Sequence, residues 1–428
     1  MHKLLLVFSI TLAMHAQTIH VDAQGPANGN GSAQSPFNSL PAAVAYANTL
    51  EGSPAIHVAP GRYELTDTLR IEKGLTLQGS NELEIDEQGW PTGNLVDPAN
   101  ETRIVGGPAL IGVLISAGKA GEVIEGVKLR GLTLQSGPAN GNVLDFARVQ
   151  DFEVRDSILM GFTTLPAMAG SGINTFASSG TIRGTYTTRL LGAAFIGAGY
   201  AGSPAEVVFR GNRAVGNRVG IFLVGTSDGI TEPGDQLYAV VRDNDLSYNY
   251  EQRPSAGIRV IVKGTEHISG PGYGSTGLST GNVHATIRNN RLVGNKIGIV
   301  IDGAFVTRQQ PAPPANVCDT RTFSGLLDLS FRENTLSDST FKPALISFTQ
   351  LQTTLSVLEG NPPPYAQFQF LHITTFTIDD PDHVLAGAYI DHPATDPFVG
   401  GTCSLDTIHE ELHNTLRING SLVDNTAP

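Results

Sequence analysis

The chain is poor in several things at once. It has 428 residues but only two cysteines, one tryptophan and four methionines, and its aromatic share is 7 %. A disulfide-framework fold is thereby excluded, and so is a core filled mainly by large rings. Beyond residue 13 no stretch reaches the ~20 consecutive apolar residues that a membrane helix needs. Positive charge is scarce: 27 Lys and Arg stand against 40 Asp and Glu, a net charge of −13. Nucleic acid is therefore not an expected partner, since phosphate binding needs a basic face. Helical periodicity is also missing from most of the chain. Apolar positions alternate over two to four residues before a polar residue or Gly intervenes, which is the pattern of very short strands.

What is abundant is a repeated phrase, apolar-Arg-any-Asn: Phe209-Arg210-Gly211-Asn212, Val241-Arg242-Asp243-Asn244, Ile287-Arg288-Asn289-Asn290 and Phe331-Arg332-Glu333-Asn334. A second Asn follows five residues later in three copies, as Asn217, Asn249 and Asn295. Weaker copies run upstream through Leu129-Arg130, Val154-Arg155-Asp156-Ser157 and Ile182-Arg183-Gly184-Thr185, and the first gaps are 25, 28, 27 and 32 residues. Self-similarity at that period means stacked units, each strand, corner, strand, corner, strand. The Asn after each short strand is expected to take the left-handed backbone of a sharp corner and to ladder with its neighbours above and below. The longer gaps after 241 and 287 are expected to hold inserted loops, 263–282 and 303–322. A solenoid has no central-core limit on its length, so one long domain is the simplest reading.

On these residues the chain resembles the right-handed parallel β-helix proteins of the pectin-lyase-like superfamily, in particular exported members with an Asn-rich repeat. The opening segment adds to the resemblance: Val21-Asp22, then Ser35-Pro36-Phe37, then Leu40 to Ala47, then His57-Val58-Ala59-Pro60-Gly61-Arg62-Tyr63. The resemblance implies an all-β, single-stranded, right-handed parallel β-helix. Independently of it, Leu40, Ala43, Val44 and Ala47 fall at helical spacing, so a short N-terminal capping helix is expected to close the open end of the stack.

Residues 1–16 combine His2-Lys3, an apolar run from Leu4 to Ala13, and small residues, the pattern of a secretory signal peptide. The expected organisation is a signal peptide over 1–16, the β-helix with its cap and inserted loops over 17–350, and an irregular or capping region over 351–428. The protein is expected to be secreted or periplasmic. In an oxidising compartment the two cysteines point to a disulfide between Cys318 and Cys403, which would contribute roughly 4–5 kcal/mol in the chain-entropy model; two unpaired buried thiols are the alternative.

Strand alternation puts the Arg of every phrase outside, one residue after an inward apolar side chain. Arg130, Arg155, Arg183, Arg210, Arg242, Arg288 and Arg332 should form a file with the ~4.8 Å spacing of paired strands. Guanidinium groups bind carboxylates bidentately, so such a file suits an acidic polysaccharide; alternatively it is an exposed file balanced by neighbouring Asp and Glu. Arg210, Arg242, Arg288 and Arg332, with Tyr273, are the candidate substrate-binding residues. A second constellation suits β-elimination on a uronic acid, which needs a base and a cation to stabilise the enolate-like intermediate. Its candidate catalytic residues are Arg259, Lys263, His267 and Asp302.

Motifs of the resembled enzymes transfer poorly. Tyr389-Ile390-Asp391-His392 is similar to a pectate-lyase phrase, but with Arg253-Pro254 it stands in reversed chain order. Asp379-Asp380 lacks the Gly-His-Gly that accompanies the paired Asp residues of polygalacturonase-type hydrolases. His409-Glu410-Glu411-Leu412-His413 has the His-Glu-x-x-His spacing of a zinc site, yet no third ligand follows in the remaining residues, and zinc at His409 and His413 is not expected. The acidic run Glu82, Glu84, Asp86 and Glu87, with Asp97 and Glu101, is either a Ca²⁺ site or a solvated loop. No cofactor is otherwise expected. The leading functional expectation is an exported protein that binds extracellular or cell-envelope glycan along a sheet face. The alternatives are a polysaccharide lyase or hydrolase acting on an acidic glycan, and a non-catalytic structural or surface-interaction protein.

Overall fold

The computed structural model of the protein describes residues 17–138, 141–162, 170–199, 205–226, 235–249, 255–269, 274–278, 281–309, 319–339, 342–347, 350–351, 368–379, 389–391, 415–418 and 421–423. The signal-peptide reading, Tyr273, Cys318, Cys403, His409 and His413 lie outside these residues. Three parallel sheets run the length of the stack, and each coil contributes one short strand to each. Sheet I begins with Thr18–Val21, Ala55–Val58 and Thr76–Gln78 and continues through Lys128–Arg130, Phe152–Arg155, Gly180–Arg183, Ala205–Arg210, Asp235–Arg242, Gly281–Arg288 and Asp319–Arg332. Sheet II contains Gly61–Leu65, Thr102–Gly106, Thr133–Gln135, Ile158–Met160, Tyr186–Thr188 and Arg213–Val215, and single bridges through Asp245 carry it on to Arg291–Val293. Sheet III runs from Leu69–Ile71 and Ile115–Ala117 through Leu144–Ala147, Ile173–Phe176, Ala193–Gly199, Val219–Thr226 and Ala256–Ser269 to Ile297–Gln309 and beyond. This is a right-handed parallel β-helix, the hand that parallel crossovers take.

Parallel register stacks like on like, so the interior is a set of apolar files. Leu77, Leu129, Val154, Ile182, Phe209, Val241, Ile287 and Phe331 form one, each paired in register with the next and each buried. Burying a side chain of this size is worth roughly 1.5–3 kcal/mol, and every coil repeats it. Helix α1, Leu40–Thr49, sits at the first coil. Ser39 accepts from the Ala42 N–H at its start, Pro41 occupies the first turn where no N–H is needed, and Leu40, Ala43, Val44 and Ala47 face the stack.

The Asn corners differ from the sequence expectation in one respect. The left-handed backbone lies one residue before the Asn, and before Leu132, Ser157 and Thr185 at the same corner upstream: Gly131, Asp156, Gly184, Gly211, Asp243, Asn289 and Glu333 have φ between 51° and 63°. The corner has to turn before the Asn so that its side chain can point inward. There Asn212, Asn244, Asn290 and Asn334 are buried and make a continuous ladder. Each Nδ2 donates to the carbonyl of the preceding coil, at Ile182, Phe209, Val241 and Ile287, over 2.8–3.0 Å. Each Oδ1 from Asn244 onward accepts from the backbone N–H and the amide of the Asn below. Asn217, Asn249 and Asn295 repeat the scheme at the next corner, after Gly216, Tyr248 and Gly294.

One further difference concerns the long gaps. The segments read as loops at 263–282 and 303–322 are largely strand: Ala256–Ser269 runs on to pair with Ile297–Gln309 and folds back antiparallel on Gly274–Leu278. Alternation with β-branched Thr265 and Ile268 continues through the segment, so ladder pairing is available despite its Gly and Ser content. Parallel pairing also runs past residue 350, where Phe368–Asp379 pairs with Asp319–Arg332 and Tyr389–Asp391 with Lys342–Ser347. Among the described residues no helix is long and apolar enough to cross a membrane.

Candidate functional site

The outer face of sheet I carries the arginine file. Arg130, Arg155, Arg183, Arg210, Arg242, Arg288 and Arg332 are consecutive register partners, with Gln78, His57 and His20 preceding them. The ten positions contain no acidic residue. His20 and His57 stack with ring centroids 5.7 Å apart, as neighbours on parallel strands do.

Carboxylates beside the file divide it. Glu153, on the same outer face, accepts from Arg130 and lies 3.0 Å from Arg183 and 3.6 Å from Arg155. Partial burial opposes its ionisation, but the hydrogen bonds and charges of Arg130 and Arg183 outweigh that and hold its carboxyl below the usual range. Arg155 has Asp156 as well, at 3.3 Å. Downstream, the carboxylate that Arg210 reaches among the described residues is Asp243, at 3.6 Å. Arg242 and Arg288 have no ion pair among the described residues, and the Arg242 Nε is buried without a hydrogen-bond partner. On the same face, about 13 Å back along the two strands at the usual rise per residue, Tyr238 stacks on His284 at 4.9 Å.

The second constellation is drawn out along one strand. Arg259 lies on the outer face of sheet III with its guanidinium 5.4 Å from the Phe222 ring, and its register partners are Phe222 and Val300. Burial, and then the charge of Arg259, hold the Arg218 guanidinium below its usual value. The backbones of Lys263 and His267 follow at about 13 Å and about 26 Å along the strand, at the usual rise per residue. Asp302 is the partner of Ile261, and the register slips between Ile261 and Lys263. The backbone thus spreads three of these positions along one strand and puts the fourth on its neighbour, Ile297–Gln309.

A half-buried carboxyl that sequence reasoning missed lies upstream on the same sheet. Asp145 receives a 2.8 Å hydrogen bond from Asn142, which itself accepts from the Ser171 N–H, and its neighbour in register is the buried Asn174. Burial, partly offset by the hydrogen bonds from Asn142 and Asn174, pushes the Asp145 carboxyl up. Its only signal in the sequence is Asn at 142 and 174, and those positions are brought together only by the coil length.

Part of the acidic run of residues 82–101 is engaged by protein groups. Asp86 accepts from the Gln88 and Trp90 N–H groups and pairs with Arg213 at 2.9 Å, and Asp97 caps a short turn at Pro98–Asn100. Among the described residues no group of three or more His, Cys, Asp or Glu gathers as a metal cage.

No protein-family description and no curated protein matches the chain. Its structural neighbours are pectin-lyase-like parallel β-helix proteins. The A-module of the Azotobacter vinelandii mannuronan C-5 epimerase AlgE4 is 13 % identical, with 84 % of this chain and 88 % of that one covered and a TM-score of 0.40. A family 28 exopolygalacturonase of Yersinia enterocolitica is 12 % identical over 85 % and 78 %, with a TM-score of 0.34. A rhamnogalacturonan lyase is 11 % identical over 88 % and 87 %, with a TM-score of 0.35.

Proposed function

We propose that the protein binds an acidic polysaccharide along the outer face of sheet I, outside the cytoplasm, with Arg210, Arg242, Arg288 and Arg332 as the principal contacts. The supporting observation is the unbroken register of the arginines together with the lack, among the described residues, of an ion pair at Arg242 and Arg288. Cations held in line at ~4.8 Å on rigid strands are pre-ordered for a polymer whose charges recur along its length, so little conformational entropy is lost on binding. The overall net charge of −13 makes this strip a local exception and favours one orientation of an anionic chain.

The test is retention of uronic-acid polymers against salt. Binding at low ionic strength should weaken steeply as screening sets in, and Arg242→Ala with Arg288→Ala should lower affinity about 10- to 100-fold with no change in the unfolding midpoint. Neutral polymers should not be retained. Appearance of unsaturated sugar ends would instead move the reading to a lyase at Arg259, and absence of any retention would leave a structural role.

A further inference from the structure

A recess of about 470 Å³ opens on the outer face of sheet III, at the corner leading to sheet I. Three coils build it. The Ile115–Ala117 coil supplies Ser116 and the turn through Gly118 and Lys119; the next supplies Ala147 and Arg148; the third supplies Phe176. Its shape follows from register. Phe176 is paired with Ala147 on one side and Ala198 on the other, so no neighbouring side chain covers the faces of its ring. The ring is 39 % exposed, although every inward Phe of these coils is buried. Gly118 keeps the space beside Ala147 open, since a Cβ there would meet the Ala147 carbonyl at 2.4 Å.

The charge at the recess is positive. Arg148, exposed, has no ion pair among the described residues, and its backbone is in the left-handed region with φ 57°, which fixes it at the corner. Lys119 stands opposite, paired with Glu122 at 2.8 Å across its own turn. Ser116 contributes a hydroxyl at the floor, and Asp145 and its amides lie next to Ser116 in register. An uncovered aromatic face, an unbalanced guanidinium and a hydroxyl around a cavity of ligand size are the requirements of a small ring carrying one carboxylate.

We propose that this recess is a binding site for a single acidic sugar residue, separate from the arginine file: the sugar ring stacks on Phe176 over Ala147, its carboxylate meets Arg148, and a hydroxyl meets Ser116. The choice of a sugar as the ring rests on the reading of sheet I. Occupancy of the recess does not, because it lies on a different sheet from Arg242 and Arg288.

Galacturonate and glucuronate monosaccharides, titrated against the full chain by calorimetry and saturation-transfer NMR, test it. Saturable binding of at least one of them is expected, with galactose and glucose at least tenfold weaker. Ala147→Leu fills the space beside Phe176 and should abolish binding. Arg148→Asn, a residue that tolerates left-handed backbone, should weaken binding tenfold or more. Arg242→Ala with Arg288→Ala should leave monosaccharide binding unchanged while lowering polymer retention, so the two readings fail separately. No saturable binding of either uronate, equal binding by Ala147→Leu, or equal binding of benzoate would each overturn the proposal.

Discussion

The upstream and downstream halves of the stack solve the same corner with different chemistry. Up to residue 185 the inward corner position is Leu132, Ser157 and Thr185; from residue 212 it is Asn in four consecutive coils. Ser157 satisfies one N–H and one carbonyl, whereas each inner Asn satisfies three to five groups and passes the bond to the next coil. The arginine file changes in the same region. Upstream, Glu153 alone ties three arginines together; downstream, Arg242 and Arg288 are without an ion pair among the described residues. The half with its charges balanced on the surface has the plainer interior, and the half with unbalanced surface cations is braced from within. A face that must keep like charges at strand spacing gains from an internal ladder that resists their repulsion.

The largest expected effect breaks that brace. Asn290→Leu strands the Asn244 N–H and the Val241 carbonyl and removes one of the two hydrogen bonds to the Asn334 Oδ1, and should cost about 3–5 kcal/mol in urea unfolding, against about 1 kcal/mol for Ser157→Ala upstream. Equal costs at the two sites would remove the distinction between the halves.

A smaller effect converts one half toward the other. Glu153→Gln releases Arg130 and Arg183 and leaves Arg155 to Asp156, and the affinity for an acidic polymer at low salt should rise about threefold, the scale of partly exposed ion pairs. The pH dependence has a definite sign. Because the folded value of Glu153 is depressed, its contribution to stability is present above the usual glutamate range and is lost as pH falls through the folded value. Stability measured across that window should therefore fall less in Glu153→Gln than in the parent.

The smallest effect belongs to Asp145. Its raised folded value means that its favourable contribution holds below the usual aspartate range and is lost as pH rises through the folded value. Asp145→Asn should melt slightly higher than the parent above that window, with no gain below it.

The repeat phrase made the arginine register legible, since one residue after an inward apolar position can only face out of a strand. It also identified Asn as the laddering residue of the corner, and the spacing of Leu40, Ala43, Val44 and Ala47 identified α1 as a helix. The location of the left-handed residue was not legible, because Asn and Gly tolerate that backbone equally, and only the inward aim of the amide decides between neighbours. The extended segment at 263–269 was obscured by Gly and Ser, which mark loops by composition although ladder bonds need no particular side chain. Asp145 and Phe176 were hidden for a different reason. What surrounds them, Asn174 for one and Ala147 and Ala198 for the other, is set by coils of unequal length, so their neighbours are known only once the register is.

The hairpin of Leu83–Ile85 and Pro91–Leu95 gives the stack a property that a pure solenoid lacks. It leaves an early coil and lies across sheet II, where Gly93 faces the Tyr186 ring, Asp86 holds Arg213, and the Trp90 indole donates to the Asp243 carbonyl at 2.8 Å. In a linear array each repeat detaches after its neighbour, and unzipping travels freely from an end. Here residues 127 and 153 positions apart are joined, so peeling back the first coils must also release the corner at Asp243. The protein should thus lose its amino-terminal coils and the corner at Asp243 in one step, and its only tryptophan is placed to report that step as it happens.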